Sequence, residues 1–378
     1  MAEIKKWVWQ HSSYPSFPYD YSKIKDTLFD VTKKSGILEG LSLALEKKDT
    51  TNLQIDALSE EIISSSQIEG EILNRDSIRS SLKKRLDASF DYSNDNSTHH
   101  SDGLVDILID SSFNQESLTK ERLNGWHNAL FPTGYSGLVK IKVASFRDEE
   151  ISVVSGWGAK EKIHYKAPLP IQLESEIDNF LNYINNSNDN PLIKSAIAHL
   201  WFVIIHPFDD GNGRLARAIT NYILSKELGL NYKYLSISLA VLKDKKRYYD
   251  ILEKSNNLFF NRNYDFTEWI LWHTNMINKA LEFSLDNIKI VIKKAKFWER
   301  ARELQLNPKQ IKVLNKLLNA GENFEGGLTN KKYRAIAKTT QITASRHIKD
   351  LLEKGLIKEI DGYGGRSVRY KIVWEYEV

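Results

Sequence analysis

The feature that most constrains this sequence is a short polar segment, residues 206–217, placed between two helical segments. Residues 192–205 before it are apolar at nearly every position, which predicts a buried helix rather than a surface one. After it, apolar residues recur at helical spacing until Gly229, which predicts a second packed helix ending there. We therefore expect a tight loop and a helix start held between two core helices.

The charges of this loop are unusual for the beginning of a helix. The loop contains residue types that turns and helix caps use: Asp210, Gly211, Asn212 and Gly213. A helix N-terminus carries partial positive charge and repels cations, yet Arg214 and Arg217 occupy the first turns. Free backbone N–H groups, glycines that allow close approach and two arginines on one face predict a polyanion site, and a polyphosphate fits it best. Asp210 can hold a divalent cation there, and His206 can accept a proton.

Residues 206–217, His-Pro-Phe-Asp-Asp-Gly-Asn-Gly-Arg-Leu-Ala-Arg, match the Fic-family signature His-x-Phe-x-Asp/Glu-Gly-Asn-Gly-Arg-x-x-Arg at every fixed position. The chain therefore resembles enzymes that move the AMP part of ATP onto a protein hydroxyl. The resemblance implies that His206 deprotonates the target hydroxyl, that Phe208 is a buried anchor and that Asp210 binds Mg²⁺ or Mn²⁺. It also implies phosphate contacts from the remaining residues: Gly211, Asn212, Gly213, Arg214 and Arg217.

A second motif lies at the end of a helix predicted over residues 49–67. Ser65, Glu69 and Gly70 occupy the fixed positions of the Fic inhibitory motif, Ser/Thr-x-x-x-Glu-Gly/Asn. A carboxylate at a helix C-terminus opposes the helix dipole, which favours a cationic partner over a solvated acid beside a glycine stop. The resemblance implies that Glu69 pairs with Arg217 and occupies the position that the γ-phosphate needs.

Residues 146–165 change from helical spacing to β-branched residues with glycine turn signals, which predicts a small hairpin on a helical body. In Fic proteins this position holds the flap, which receives a target segment as an added strand. The resemblance assigns that role to five residues: Ser152, Val153, Val154, Ser155 and Gly156. Backbone hydrogen bonds depend little on the side chains of the added strand, so the sequence does not identify the target protein.

A helix predicted over residues 236–256 carries two further candidates. Tyr248, Tyr249 and Asn256 are explained by ordinary packing and capping when each is taken alone. Their spacing resembles the Fic adenosine pocket, where an aromatic ring stacks and an asparagine forms hydrogen bonds. On that basis Tyr249 and Asn256 are the predicted nucleoside contacts.

Basic residues are concentrated near the C-terminus. Residues 331–371 contain eleven Lys and Arg against four Asp and Glu, a balance of +7, whereas the remainder carries 42 against 45, a balance of −3. Helices predicted over residues 308–318, 330–338 and 343–354, followed by two strands, resemble a winged helix. The resemblance implies DNA contacts from Arg346, Lys349, Arg366 and Arg369. A protein-binding or dimer-forming module fits the same pattern.

The composition excludes some kinds of chemistry. The chain has no cysteine, which excludes thiol catalysis, disulfides and thiolate-bound zinc. The adjacent pair His99 and His100 has no third metal ligand at a suitable spacing, so we expect a solvated loop there. No run of about 18 apolar residues exists and no signal peptide is recognisable, so we expect a cytoplasmic protein without membrane contact.

The sequence thus predicts a mainly α protein in three parts. Residues 1–110 form an N-terminal helical module, residues 111–294 a helical Fic core with a small β-hairpin flap, and residues 295–378 a winged-helix domain. The predicted function is adenylylation of a protein target, or of the chain itself, with ATP as substrate and with Glu69 as inhibitor. Removal of AMP at the same site and a nucleotide-sensing DNA-binding regulator are alternatives, and a homodimer stays open.

Overall fold

The computed structural model describes residues 5–87, 89–155, 162–229, 233–321, 324–363 and 368–374. Within these ranges the chain forms fourteen α-helices and three two-stranded antiparallel sheets, which confirms the predicted mainly α fold. Contacts divide it into two compact units, residues 1–285 and 286–378. The predicted division into three parts stays a prediction. Among the described helices, none combines the length and the apolar character that crossing a bilayer requires.

The first unit is built mainly from helices. They are α1 Lys25–Leu43, α2 Lys47–Ile68, α3 Arg75–Leu86, α4 His99–Phe113, α5 Lys120–Leu130, α6 Leu173–Asn186, α7 Pro191–Ile205, α8 Asn212–Leu228, α9 Ile237–Lys243 and α10 Lys245–Asn256. The longest helix, α11 Thr267–Ala301, begins in this unit and ends in the second. Two hairpins are inserted between α5 and α6: β1 Tyr135–Ser136 with β2 Val139–Lys140, and β3 Ser152–Ser155 with β4 Lys162–Lys166.

Helix α7 lies in the core of this unit. Thirteen of its fifteen residues are buried, and it packs against α8 more extensively than against any other helix. Asn190 caps its start by accepting the N–H of Leu192, and Pro191 occupies the first position, where no donor is needed. Gly229 ends α8 with φ at 87°. The predicted pair of core helices around residues 206–217 is thereby confirmed.

The structure corrects two predictions of secondary structure and adds a hairpin. Residues 236–256 form two helices rather than one, because Asp244 leaves the helical region at φ −122° and ψ 29°. His99 and His100 begin α4 instead of lying in a loop, because Thr98 caps that helix by accepting the N–H of Ser101. The hairpin β1–β2 was not predicted, since strands of two residues are too short to show a period in the sequence.

The hairpin β3–β4 is confirmed where the flap is predicted. Ser152 pairs with Lys166 and Val154 with Ile163, with an irregularity of register after Val153. Tyr165 is buried and donates its hydroxyl to the carbonyl of Ile204 at 2.6 Å. The hairpin is therefore anchored at the end of α7. Gly156, the last predicted flap residue, lies outside the described residues.

The second unit contains three helices and a hairpin around its own apolar core. They are α12 Pro308–Ala320, α13 Asn330–Ala337, α14 Gln341–Glu353, β5 Ile357–Glu359 and β6 Tyr370–Ile372. This order agrees with the sequence, although the assignment as a winged helix stays a prediction. Arg346 and Lys349 are exposed on α14, and Arg369 lies over the ring of Tyr363 at 4.1 Å. Arg366 lies outside the described residues.

Candidate functional site

The loop between α7 and α8 is a sharp turn with a left-handed residue near each end. His206 ends α7 with φ at 50°, and Gly211 precedes α8 with φ at 81°. A Cβ on Gly211 would lie 2.6 Å from the side chain of Leu130 and 2.8 Å from the ring of Phe131. Position 211 therefore requires glycine for its backbone conformation and for space.

Phe208 and Asn212 hold this turn from inside. Phe208 is fully buried, as the sequence predicts, and stacks on the ring of His127 with centroids 4.1 Å apart. Asn212 accepts the N–H of Phe208 at 3.0 Å and donates its amide to the carbonyl of Phe208 at 2.8 Å. The side chain of Asn212 is therefore engaged within the loop, which leaves its backbone N–H to meet a ligand.

His206 is held in the form that a general base requires. Its Nδ1 lies 3.1 Å from the carbonyl of Val203, and since a carbonyl only accepts, Nδ1 carries the proton and Nε2 keeps a lone pair. Burial, together with the charge of Arg147, lowers the pKa of His206 to about 4, although the hydrogen bond to Val203 acts in the opposite direction. The imidazole is therefore neutral at physiological pH.

Arg147 fixes the backbone of His206. This arginine is 3% exposed, and its Nε donates to the carbonyl of His206 at 2.8 Å. Its two terminal nitrogens donate to the carbonyls of Glu149 at 2.8 Å and Pro168 at 2.6 Å, on either side of the hairpin β3–β4. One side chain thus joins the end of α7 to the base of the hairpin. Arg147 lies within residues 146–165, where the sequence predicts a hairpin, but no sequence pattern indicates this role.

Arg217 is buried and held by the end of α2. Its Nη2 lies 2.8 Å from Oε1 of Glu69, and its Nε donates to the hydroxyl of Ser65 at 2.8 Å. Nη2 also donates to the carbonyl of Ser65 at 3.0 Å. Gly70 follows with φ at 88°, which turns the chain away from the helix. The structure therefore brings the predicted inhibitory residues to the predicted arginine.

The carboxylate of Glu69 lies directly in front of the first turn of α8. A Cβ on Gly213 would be only 2.5 Å from Oε1 of Glu69. This is where a helix N-terminus attracts an anion. Nη1 of Arg217 and Nε of Arg214 are buried without a hydrogen-bond partner among the described residues. These two donors are available to a larger anion than one carboxylate.

A second acid, which the sequence did not reveal, holds Arg214. Nη1 of Arg214 lies 3.0 Å from Oε2 of Glu71, and Oε1 of Glu71 lies 2.6 Å from Nε2 of His100. The hydrogen bond from His100, together with the charge of Arg214, lowers the pKa of Glu71 despite its partial burial. The only signal in the sequence is an acid two positions after Glu69.

Asp210 is positioned by the unpredicted hairpin β1–β2. Its Oδ2 accepts the hydroxyl of Ser136, and its Oδ1 accepts the N–H of Gly211 at 2.6 Å. Within the described ranges, no group of three or more His, Cys, Asp or Glu residues is arranged to hold a metal ion. Mg²⁺ is commonly held by one or two carboxylates together with nucleotide phosphates, so a single carboxylate beside an anion site fits a shared ion.

The two predicted nucleoside contacts lie on α10. Tyr249 is 42% exposed and donates its hydroxyl to the carbonyl of Ile68, the residue before Glu69. Asn256 is buried, and its Oδ1 has no hydrogen-bond partner in the described part of the chain. Tyr248 is fully buried and bonded to His199 at 3.0 Å, which accounts for it as a core residue. The roles of Tyr249 and Asn256 stay predictions.

Comparison with known protein families identifies this region. Residues 117–224 match the Fic/DOC family, and they include the hairpins, α7, the motif loop and most of α8. The chain contains a Fic domain. Residues 7–88, which include α2 and its acidic end, match a family described as a domain of unknown function (DUF4172).

Solved structures of Fic proteins share this fold. A Fic family protein from Desulfovibrio desulfuricans G20 matches with a TM-score of 0.57 and 16% identity, over 96% of this chain and 100% of that one. A Fic domain containing signaling protein from Bacteroides thetaiotaomicron VPI-5482 matches with a TM-score of 0.51 and 21% identity, over 71% and 97%. At these identities the likeness shows the fold alone.

Curated relatives of the Fic domain are named as adenylyltransferases. A probable protein adenylyltransferase of Aquifex aeolicus is 35% identical over 79 residues, which are 21% of this chain and 23% of that protein. The protein adenylyltransferase Fic of Nematostella vectensis is 31% identical over 93 residues, 24% of this chain and 20% of that protein. The chain therefore spans less than a quarter of the length of each of these relatives.

Proposed function

We propose that this protein is a protein adenylyltransferase that moves AMP from ATP onto a Tyr, Ser or Thr hydroxyl of a protein target. The observation that carries the proposal is the start of α8, where Arg214 and Arg217 face carboxylates from another segment. Two arginines at a helix N-terminus need an anion, and a nucleotide tail supplies several negative oxygens in the same place.

The neutral His206 provides the base for this reaction. The target oxygen forms a bond to the α-phosphorus, the bond from that phosphorus to the oxygen bridging to the β-phosphate breaks, and pyrophosphate leaves. The proton of the hydroxyl goes to Nε2 of His206, because Nδ1 already donates to Val203. Such a reaction depends on positioning the reactants and neutralising the phosphate charge more than on a covalent intermediate with the enzyme.

The remaining residues position the reactants. Asp210 would hold Mg²⁺ or Mn²⁺, which neutralises phosphate oxygens in the transition state. Arg214 and Arg217 would bind the β- and γ-phosphates, while Tyr249 and Asn256 would hold the adenosine. Strand β3 lies at the edge of a two-stranded sheet, so its backbone can pair with a target segment and present the hydroxyl.

We propose further that the protein is inhibited by its own Glu69. The Glu69 carboxylate lies against Gly213 and Arg217, where the γ-phosphate would bind, so two anions compete for one guanidinium. Coupling between competing sites is typically about 1–3 kcal/mol. Removing the Glu69 carboxylate should therefore increase productive ATP binding severalfold or more.

Intact-mass spectrometry after incubation with ATP and Mg²⁺ tests this function. We expect Glu69→Gly to gain the mass of one AMP on itself or on an added protein substrate. Glu60→Ala is the matched control, because Glu60 lies on α2, which Glu69 directly follows, but pairs with Arg75 instead of a motif arginine. Glu69→Gly protein that gains no AMP, alone or with a lysate of candidate targets, would count against the enzyme.

Removal of AMP at the same site is a second candidate function. The observation that favours it is the Glu69 carboxylate, which could orient an attacking water and whose charge acts against the burial that lowers the pKa of His206. A hydrolase of this kind needs Glu69, so Glu69→Gly should lose the release of AMP from an adenylylated protein. An adenylyltransferase gains activity from the same substitution, which separates the two functions.

The second unit supports a separate proposal of DNA contact through Arg346 and Lys349 on α14. The +7 balance of residues 331–371 favours phosphate binding. Filter binding to random duplex DNA at several salt concentrations tests it. Binding that weakens steeply with salt and is reduced by Arg346→Ala supports the contact, whereas binding that is absent at low salt rejects it.

A further inference from the structure

Three side chains outside the motif loop form a chain of hydrogen bonds at the hairpin. Oγ of Ser155 lies 2.6 Å from Nε2 of His164, and Nδ1 of His164 lies 3.0 Å from Oε2 of Glu253. Ser155 ends β3, His164 lies in β4 and Glu253 lies on α10. The function proposed above uses neither His164 nor Glu253.

The carboxylate determines which nitrogen of the ring carries the proton. An ionised carboxylate only accepts hydrogen bonds, so Nδ1 of His164 donates and Nε2 is left to accept the hydroxyl of Ser155. Although burial works in the opposite direction, hydrogen bonds from Lys162 and His164 lower the pKa of Glu253, so this acid stays ionised at neutral pH. With a neutral His164 ring, the three groups are arranged as a nucleophile, its base and an orienting acid.

The surroundings favour a reaction at Ser155 rather than a purely structural link. Ser155 is exposed, so an electrophile can reach its hydroxyl, whereas His164 and Glu253 are partly buried and held in place. A hydrogen bond in the protein interior usually stabilises the fold. A hydrogen bond from an exposed serine to a histidine adds little to the free energy of unfolding. Hydroxyl, base and acid at these distances are the general arrangement of an activated nucleophile.

The elements that carry these residues also contact the proposed nucleotide site. Tyr165, next to His164, donates to the carbonyl of Ile204, two residues before His206. Glu253 lies one helical turn after Tyr249, whose hydroxyl reaches the residue before Glu69. The hairpin and α10 thus each contact a segment that borders the proposed nucleotide site.

We propose that Ser155 is an activated hydroxyl of the flap and a self-modification site that accepts AMP from ATP. Oγ of Ser155 forms a bond to the α-phosphorus while the bond from that phosphorus to the bridging oxygen breaks and pyrophosphate leaves. The hydroxyl proton goes to Nε2 of His164, and Glu253 stabilises the resulting imidazolium. The identity of the donor rests on the proposed function, whereas the activation of Ser155 does not.

Peptide mapping of the Glu69→Gly protein after incubation with ATP and Mg²⁺ tests the acceptor. We expect AMP on Ser155, its loss in Ser155→Ala, and its retention in the control Ser175→Ala, which removes an exposed serine hydroxyl on α6. Since a general base typically contributes about 10²–10⁴-fold to rate, His164→Gln should slow labelling of Ser155 by about 100-fold or more. AMP found only on other residues would overturn the assignment of Ser155 as acceptor.

A fluorophosphonate probe tests the activation without ATP. Oγ of Ser155 would displace fluoride from the probe, and we expect this label in the wild type, less of it in Glu253→Gln and none in Ser155→Ala. Probe labelling of Ser155 without AMP anywhere would support the activated serine and count against the proposed adenylyltransferase. Absence of probe labelling at Ser155 in a protein with an unchanged melting temperature would overturn the inference.

Discussion

Oε2 of Glu71 lies 3.0 Å from Nη1 of Arg214, only two residues after the acid that holds Arg217 at 2.8 Å. Both arginines at the start of α8 are thus neutralised by one short segment at the end of α2. Because both acids belong to the same segment, movement of that segment would free both arginines together, whereas loss of Glu69 alone leaves Arg214 engaged.

The first prediction concerns this second acid. We expect Glu69→Gly/Glu71→Gln to have a KM for ATP about fivefold or more below that of Glu69→Gly. The second substitution would remove the competition between Glu71 and ATP for Arg214, and such coupling is typically about 1–3 kcal/mol. Initial rates of AMP transfer at varied ATP measure it. Adding Glu60→Gln to Glu69→Gly is the control, and equal KM values for all three proteins would show that Glu71 does not compete with ATP.

The second prediction concerns Arg147. Lys can keep the charge but cannot bridge the carbonyls of Glu149, Pro168 and His206 together, so Arg147→Lys should misplace His206. We expect kcat to fall by about tenfold to 100-fold, because small misplacements of a reacting group have effects of this size. The Kd for ATP should stay within about twofold, since the proposed nucleotide contacts lie elsewhere. A parallel loss of ATP binding and melting temperature would indicate a purely structural role.

The third prediction concerns pH. The pKa of His206 is lowered to about 4, so the neutral base persists well below the pH at which an ordinary histidine is protonated. We expect kcat/KM of Glu69→Gly to be level between about pH 6 and 8 and to fall only toward pH 4. Arg147→Met removes a charge that lowers this pKa, so its activity should decline at a higher pH. An acid limb near pH 6.5 in Glu69→Gly would contradict the neutral, desolvated His206.

The fourth prediction concerns the anchor of the loop. Phe208 is fully buried and stacked on His127, so Phe208→Ala should lower the free energy of unfolding by about 3–5 kcal/mol. Phe259 is 50% exposed and serves as the matched control, for which we expect a loss of about 0.5 kcal/mol or less. Urea unfolding followed by circular dichroism measures both, and equal losses would show that Phe208 does not anchor the turn.

Much of this site is visible in the sequence because it lies in one continuous segment. Apolar spacing predicts α7 and α8, and turn residues between them predict the loop with its arginines. The inhibitory motif likewise predicts the helix end that meets Arg217. In these segments the local sequence pattern is enough to predict the structure, because the residues that form each helix or turn are adjacent in the sequence.

The contacts that the sequence did not reveal join distant segments. Arg147 binds backbone carbonyls, which every residue carries and no sequence pattern marks. Glu71 meets Arg214 and His100 only because α2, α4 and α8 pack together. Ser155, His164 and Glu253 converge from a hairpin and a helix almost 90 residues away, at an exposed position without an apolar pattern. The break at Asp244 has neither proline nor glycine to signal it.

The most direct test of the central claim compares two radiolabels of ATP. Wild type, Glu69→Gly and Glu69→Gly/His206→Ala are each incubated with Mg²⁺ and with ATP labelled at either the α- or the γ-phosphate. The account predicts protein labelling only from α-labelled ATP and strongest in Glu69→Gly, with any label of Glu69→Gly/His206→Ala confined to Ser155, whose proton goes to His164. Equal α-labelling of wild type and Glu69→Gly would contradict the inhibitory role of Glu69, and labelling from γ-labelled ATP would contradict AMP transfer itself.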